Sequence, residues 1–312
     1  MDNYLVSSSL FPIQADESLP VSCSPRVHAS IAAVPRVAAA VAVAGATTNA
    51  STAPSVDVDY GPLVKAIGGF CAAPVQEFPF VVAEGVSREF FEDFLSAHES
   101  NCMGYRLEYH NSRILICECP SEIHEHVASS VDKLINSALG MHALRFHGGA
   151  PSCWVGASSF VPDASLTPFT KPNPGPGAAT AASVRGYAFP NVVIEVAVLR
   201  PFEDVQRKAR DWIGLSTTVQ QVLVFKVGEA LGEGARQLHA YSYIRGNDDP
   251  VQTIDVSIPG HVVIAAGNLA MQLRVPLAGL YFQVPGGPPA GLADPLLVDL
   301  FFVQQIVALT PL

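Results

Sequence analysis

Residues 190–227 read PNVVIEVAVLRPFEDVQRKARDWIGLSTTVQQVLVFKV and decide the fold. The run at 192–199 is apolar and rich in β-branched residues, with Glu195 as its one charged member, which is the pattern of a strand buried on both faces. Residues 219–227 show a similar pattern, and 202–213 between them has helical periodicity. Strand, helix and strand at this spacing predict two parallel strands joined by a crossover helix.

The predicted helix carries a lysine that can reach the acid of the first strand. A buried carboxylate such as Glu195 is costly unless a cation or a metal pairs with it. Lys208 lies at the edge of the helix's apolar stripe, whereas Arg207 and Arg210 point away from it. A contact between Lys208 and Glu195 is one prediction, and an exposed i,i+4 pair between Lys208 and Asp204 is the alternative.

The amino-acid composition limits the classes of protein to which this chain can belong. The 312 residues are 49% hydrophobic and carry a net charge of −10, with a pI near 5.3, which allows one sizeable core. The acidic balance argues against strong, non-specific binding to nucleic acid but leaves room for a local basic rim. The apolar run at 38–46 is too short to span a bilayer, so we expect no membrane segment.

The cysteines predict a reducing compartment. Their spacing forms no disulfide framework, and the chain shows no secretory leader, so we expect an intracellular protein of the cytoplasm or nucleus, with an organelle not excluded. The cysteines are Cys23, Cys71, Cys102, Cys117, Cys119 and Cys153.

The composition also divides the chain. Residues 1–59 are rich in Ala, Val, Ser, Thr and Pro with few charges, and we expect a disordered, low-complexity tail. We expect one domain over 60–312, with the Pro- and Gly-rich stretch 167–188 as a flexible insertion. From Thr253 onward we expect further short strands, ending on the apolar run LLVDLFFVQQIV.

Three local patterns fall between the tail and the deciding stretch. Residues 86–98 predict a helix that Ser87 can cap, and 121–139 predict an amphipathic helix that Ser121 can cap. Residues 104–120 predict a β-hairpin that turns at 110–112.

Familiar catalytic motifs are missing. The chain has no glycine-rich phosphate loop, no GxGxxG after a strand, no HExxH and no GxSxG elbow. Cys117 and Cys119, followed by His124 and His126, leave a zinc site as one hypothesis. Two histidines at i,i+2 on a helix point in nearly opposite directions, and a buried CxC pair is more often core packing.

Acidic residues are the remaining candidates. Asp163 follows Pro162 where a strand bends or ends, and Glu195 lies in a later buried strand. A hard cation such as Mg²⁺ takes one or two carboxylates together with waters and substrate phosphates. A neighbouring lysine, here Lys208, can orient or deprotonate an attacking water.

These sequence segments occur in the same order as in a known protein family, which the chain therefore resembles. From about Phe78 to Ile244 the chain is similar to the Uma-type restriction endonucleases of the PD-(D/E)XK nuclease superfamily. The pieces that carry the resemblance, in order, are SREFFEDFL, YRLEYHNSRILI, PSEIHEHV, the Pro-Asp pair at 162–163, PNVVIEV, and a helix with Lys208 and Trp212 ahead of TVQQVLVFKV.

The resemblance implies a site. In it, Asp163 and Glu195 hold Mg²⁺ or Mn²⁺, Lys208 replaces the lysine that the strand lacks, and Glu108 and His124 complete the catalytic set. Each of the last two keeps a structural alternative, a hairpin salt bridge for Glu108 and a surface position in a first helical turn for His124.

Several positions depart from the family pattern. Ala197 stands where the superfamily motif has lysine, although Uma-type proteins generally lack it too, and Trp212 stands where the family has tyrosine. The hairpin turn has no glycine, and both tails and 167–188 are additional.

We therefore expect an α/β domain with a restriction-endonuclease-like core, a mixed central β-sheet flanked by helices and extra C-terminal strands. The expected function is metal-dependent hydrolysis of phosphodiester bonds, with DNA a better candidate than RNA and a homodimer left open. The rivals are a catalytically inactive binding or scaffold module, favoured by the net charge of −10, and the zinc protein described above.

Overall fold

The computed structural model describes residues 60–71, 79–98, 106–117, 121–140, 142, 144–146, 152–198, 200–232, 235–256 and 265–310. All of them belong to the unit that runs from Ala38 to Leu312. The expected tail, 1–59, lies outside the described residues, so its disorder stays a prediction.

A six-stranded mixed sheet forms the centre. Its order is β11-β10-β9-β8-β7-β4. The strands, in chain order, are β4 (Leu144–Phe146), β7 (Ala164–Pro168), β8 (Val192–Ala197), β9 (Gln221–Gly232), β10 (Ala235–Ile244) and β11 (Gln252–Asp255). β8 and β9 are parallel, from Val192 opposite Gln221 to Ala197 opposite Lys226, and every other pair in this sheet is antiparallel.

Helix α4 (Phe202–Ile213) joins the two parallel strands, as the apolar pattern predicts. The residues of β8 alternate between two layers. Ile194 and Val196 pack in one apolar cluster with helix α3 (Glu122–Leu139), and Val193 and Ala197 pack in the other with α4. Helices therefore cover both faces of the sheet, and the expected α/β class with a mixed sheet flanked by helices is confirmed.

The N-terminal hairpin builds a second, five-stranded antiparallel sheet in the order β1-β3-β2-β6-β5. Its strands are β1 (Phe80–Glu84), β2 (Leu107–His110), β3 (Arg113–Ile116), β5 (Cys153–Val155) and β6 (Ser158–Phe160). The hairpin turn has no glycine, and Asn111 and Ser112 take its left-handed positions with φ of 50° and 59°. Asparagine tolerates the left-handed region better than most residues, so the turn can form without a glycine.

Two predicted helix starts are confirmed by their caps. In α2 (Arg88–His98), the backbone N–H of Phe90 donates to the hydroxyl of Ser87. In α3, the N–H of His124 donates to the hydroxyl of Ser121. Each cap satisfies a backbone donor that the first turn of a helix leaves without an internal partner.

The extra C-terminal strands expected from the sequence are present, and the final apolar run is helical. A separate pair, β12 (Gln272–Val275) and β13 (Leu296–Asp299), is followed by helix α6 (Leu300–Leu309) within the final apolar run. The carboxylate of Asp299 accepts from the N–H of Phe301, so the acid that interrupts the run starts a helix. The remaining helical elements among the described residues are α1 (Gly61–Cys71), a 3-10 turn (Leu269–Met271) and the short α5 (Leu277–Leu280).

The stretch expected to be a flexible insertion contains ordered contacts. Buried Lys171 donates through Nζ to the carbonyl of Phe189 at 2.8 Å and to Oδ1 of Asn191 at 2.5 Å. The backbone N–H of Gly175 donates to the carbonyl oxygen of Gly186. The two glycines approach so closely that a Cβ atom at position 186 would lie 2.0 Å from the carbonyl carbon of Gly175. The first two residues of the stretch, 167 and 168, belong to β7. Its flexibility in solution stays a prediction.

Candidate functional site

Glu195 lies on the face of β8 that α4 covers, and two residues of that helix bind it. Lys208 Nζ is 2.9 Å from Oε2 of Glu195, and the indole Nε1 of Trp212 donates to Oε1 at 2.7 Å. Lys208 and Trp212 are four positions apart, so one face of the helix presents both. Glu195 and Lys208 are each 3% exposed, and Trp212 is fully buried.

Glu108 joins the same cluster from β2. Its Oε1 lies 2.7 Å from Lys208 Nζ and 3.5 Å from Nη1 of Arg200, and its Oε2 accepts from the thiol of Cys117 at 3.0 Å. Burial alone would raise the pKa of Glu108, but the charges of Lys208 and Arg200 and the hydrogen bonds from Cys117 and Lys208 lower it to about 2. Glu108 is therefore ionised at neutral pH and bridges the second sheet to α4.

The contacts of Lys208 decide between the two predictions made for it. Besides both carboxylates, Nζ donates to the carbonyl of Val161 at 3.0 Å. Asp204, the partner in the alternative, instead forms an ion pair with Arg207 at 3.1 Å. Lys208 thus makes the predicted contact with Glu195 and not the exposed helix-edge pair.

Asp163 has a different set of partners. One carboxylate oxygen forms an ion pair with Nη1 of Arg106, and the other lies 3.1 Å from Nε2 of His124 and accepts the backbone N–H of Val196. Asp163 directly precedes β7, whose first residue, Ala164, lies opposite Ile194. The carboxylate of Asp163 is therefore held beside β8, one residue along from Glu195.

The structural alternatives for Glu108 and His124 are both wrong. Glu108 forms ion pairs with Lys208, which lies in α4, and with Arg200, which lies two residues before α4. It forms no described ion pair with another residue of its own hairpin. His124 does lie in the first turn of α3, but it is 2% exposed and contacts Asp163.

The five predicted residues thus form two neighbouring groups. Glu108, Glu195 and Lys208 make one group, and Asp163 and His124 make the other. Within the described part of the chain, the side-chain partners of Asp163 and of Glu195 have no residue in common. Among the described ranges, no three His, Cys, Asp or Glu side chains are placed to hold one metal ion.

A divalent metal fits the two acids by donor type. Asp163 and Glu195 offer hard carboxylate oxygens, and Mg²⁺ commonly takes one or two carboxylates with waters. Every carboxylate oxygen of the pair already faces a donor, with Arg106 on Asp163 and Lys208 on Glu195. An ion at these carboxylates would compete with those two cations.

The zinc hypothesis gains no support from the residues that can be placed. Cys117 donates to Glu108, His124 contacts Asp163, and Nδ1 of His126 lies 3.2 Å from the hydroxyl of Thr310. Cys119 lies outside the described residues. Cys117 and Cys153 are buried thiols that form no disulfide among the described residues, and burial raises the pKa of each.

Sequence reasoning missed two arginines and one hydrogen bond. Arg106 lies in the predicted hairpin and directly precedes β2, and Arg200 follows β8, but no pattern in the sequence marked either as a partner of an acid in the site. The missed hydrogen bond is the one from Trp212 to Glu195. The sequence could have indicated it, because Trp212 follows Lys208 by four residues and its indole N–H is a donor on the same face of the helix.

A small cleft opens onto this region. Its volume is about 20 Å³, and Glu108, Lys208 and Arg200 line it together with Arg207 and Asp211. Glu195 and Asp163 are not part of its lining. Burial raises the pKa of Asp211, against the opposing effect of Arg207.

Of the comparisons with known proteins, the search of solved structures found similar chains. No protein-family model matches the chain, and no curated protein is similar enough to count as a relative. Among solved structures, the chain is similar to a "putative nuclease" belonging to DUF820 from Anabaena variabilis, at 17% sequence identity and a TM-score of 0.35, over 51% of this chain and 80% of that one.

None of the helices in the described ranges is long and apolar enough to cross a bilayer.

Proposed function

We propose that the chain is a metal-dependent nuclease that hydrolyses phosphodiester bonds of nucleic acid, with DNA as the preferred substrate. The observation that carries the proposal is the convergence of Lys208 from α4 on Glu195 of β8 and Glu108 of β2. Asp163 lies beside the same strand. Buried acids and a buried lysine gathered from separate elements are typical of catalytic sites.

The protein's own residues have distinct tasks in this proposal. Lys208 bridges Glu108 and Glu195 and holds their carboxylates in place, while Trp212 fixes the second oxygen of Glu195. His124 and Arg106 orient Asp163. Asp163 and Glu195 would hold Mg²⁺ or Mn²⁺, which would supply Lewis-acid activation of the phosphate or of a water.

Cleavage of supercoiled plasmid tests the proposal. We expect the purified chain to nick or linearise the plasmid with Mn²⁺ or Mg²⁺ and not with EDTA. Asp163→Asn and Glu195→Gln should abolish cleavage, whereas Asp93→Asn, which neutralises an exposed acid of α2, should not. Single-stranded DNA and RNA in parallel reactions rank the substrates, and light scattering tests for a homodimer.

Two results would overturn the nuclease proposal. One is the absence of cleavage of every substrate by a cooperatively folded protein with either metal. The other is cleavage that survives in both acid variants at the wild-type rate, which would indicate a contaminating enzyme.

A catalytically inactive binding module is the second candidate, and charge balance favours it. Asp163, Glu195 and Glu108 face three cations, Arg106, Lys208 and Arg200, so the two groups are neutral as they stand. Titration with Mn²⁺ separates the candidates. The nuclease binds the ion and loses it in Asp163→Asn, whereas the inactive module binds none.

A further inference from the structure

Helix α6 is apolar on both of its faces. None of its 10 residues, LFFVQQIVAL, is charged. Its inner face is formed by Leu300, Val303 and Val307, which are buried in the apolar cluster that contains α3. Its outer face carries Phe302, which is 48% exposed, and Leu309, which is 81% exposed. A surface helix normally has charged or polar residues on the side that faces water, and the outer face of α6 departs from that pattern.

The outer residues of α6 form one stripe, called the outer stripe here, which consists of Phe302, Gln305, Ile306 and Leu309. Because a helix has about 3.6 residues per turn, these four positions fall within about 100° of arc. Phe302 and Leu309 lie two turns apart, and Gln305 and Ile306 lie midway between them. The outer stripe therefore has the same pattern in both directions, a large apolar side chain at each end and a Gln-Ile pair in the middle.

Two further exposed leucines flank the start of α6. Leu297 of β13 is 44% exposed, and Leu269 is 74% exposed. The backbone N–H of Gly267 donates to the carboxylate of Asp299 at 2.7 Å, which holds the segment that carries Leu269 at this end of the helix. Together with the outer stripe, these leucines expose roughly 400 Å² of apolar surface, if a fully exposed large side chain has ~150–200 Å². Two such surfaces with their polar rims reach the ~1,000 Å² that a specific interface needs.

We infer that the outer stripe is the contact surface of a homodimer, in which the α6 helices of two copies of this chain pack antiparallel across a two-fold axis. A closed symmetric dimer places the same surface of both copies in contact, so that surface has to be self-complementary. In this arrangement Phe302 meets Leu309 of the second copy at each end, and the axis passes between Gln305 and Ile306. Gln305 has both a donor and an acceptor, so it can bond to its counterpart across the axis.

The charges at the two ends of α6 suit the antiparallel arrangement. Asp299 lies at the N-terminus of the helix, and at its C-terminus Nδ1 of the exposed His126 lies 3.2 Å from the hydroxyl of Thr310. Antiparallel copies bring the acid of each toward the histidine of the other, and they also align the helix dipoles favourably. Parallel copies would place the two acids together. Since α6 itself is uncharged, its contact adds no like-charge repulsion, although each copy has a net charge of −10.

A dimer through α6 leaves the candidate site open. The inner residues of α6 share an apolar cluster with Ile194 and Val196 on the α3 side of the central sheet. Glu195 contacts Lys208 and Trp212 of α4, which covers the opposite side. Dimer formation is therefore independent of the proposed nuclease activity, and each can fail without the other.

Sedimentation velocity over a series of protein concentrations tests the dimer. We expect a reversible monomer–dimer equilibrium for the wild type. The double variant Phe302→Glu/Leu309→Glu places like charges opposite each other and should weaken the dimer at least about tenfold, which corresponds to ~1.4 kcal/mol. Both positions are exposed, so the variant should keep the Tm of the monomer fold. Leu215→Glu, the same change at a fully exposed leucine after α4, is the matched control and should dimerise as the wild type does.

An exchange of charges tests the orientation of the two helices. In Phe302→Glu/Leu309→Lys, antiparallel packing places each introduced acid opposite an introduced base, so this variant should dimerise more tightly than the one with two acids. Equal dissociation constants for these two variants would overturn the antiparallel packing. The dimer itself is overturned if the wild type remains a monomer at every concentration, which would leave the outer stripe to another segment of the chain or to a different partner. It is also overturned if the variant with two acids dimerises as tightly as the wild type.

Discussion

Lys208 Nζ lies 2.9 Å from Oε2 of Glu195, and both side chains are 3% exposed. The pair joins the middle of a central strand to the helix that follows it. Because Lys208 also contacts Glu108 at 2.7 Å, one ammonium group is shared by two buried carboxylates from two sheets. Stability and the candidate site therefore depend on the same atoms.

Removal of the ammonium group should destabilise the fold. Lys208→Met retains the length of the side chain but leaves Glu195 without its cation and Glu108 with only the long contact to Arg200. We expect a loss of about 3–5 kcal/mol in the free energy of unfolding, the usual cost of breaking a buried ion pair. Urea denaturation measures it, with Lys133→Met on the exposed face of α3 as the control. A loss below about 1 kcal/mol would contradict the assignment.

Acid should weaken the protein partly through Glu108. Its pKa falls from an ordinary 4.5 to about 2 in the folded protein, so its stabilising contribution is complete above pH 4.5 and disappears as the pH drops toward 2. Glu108→Gln should be less stable than the wild type at pH 6, and the difference should shrink between pH 4.5 and 2. Chemical denaturation across this range measures it, and a constant difference would show that the pKa of Glu108 is not lowered.

Neutralising Asp132 should stabilise the protein. Burial raises the pKa of this α3 residue from 3.8 to about 6, so its favourable contribution is complete below pH 3.8 and is lost as the pH rises through 6. Asp132→Asn retains an oxygen for the amide of Asn136, which donates to Asp132 Oδ1 at 2.9 Å. We expect a gain of about 1 kcal/mol at pH 8, reduced for partial solvation, and little gain at pH 4. Asp93→Asn, at an exposed site, is the matched control in thermal unfolding.

The contacts of Lys171 predict how the 167–188 stretch responds to protease. Burial lowers the pKa of Lys171 to about 8, and Nζ donates to Phe189 and Asn191. Lys171→Ala should accelerate cleavage of this stretch by proteinase K severalfold at pH 7, whereas Arg185→Ala, at an exposed position of the stretch, should not. Equally rapid cleavage in all three proteins would favour the flexible insertion expected from composition.

The fold could be predicted from the sequence where the spacing of apolar residues matches the buried face of an element. The apolar run of β8 and the helical stripe of α4 define both elements, and the same helical geometry places Lys208 toward Glu195. The α6 helix was missed because an apolar run of its length has no distinguishing period, and only the cap at Asp299 marks its start.

The candidate site could be predicted from the sequence only in part, for a related reason. Patterns of apolar residues report which face of an element is buried, but they do not identify the partners of Arg106 and Arg200, which lie next to the ends of strands β2 and β8. Their partners, Asp163 and Glu108, are 57 and 92 positions away in the chain, and only the folded sheets bring them together.

Glu195 also has a consequence for how the sheet assembles. Its neighbours Ile194 and Val196 enter the apolar layer beneath α3, so a slip of β8 by one residue would carry the carboxylate into a layer of hydrocarbon, away from Lys208 and Trp212. An all-apolar strand could pair with β9 in adjacent registers at nearly equal free energy. A single acid in this strand makes one alignment far more stable than its neighbours, whether or not it ever meets a substrate.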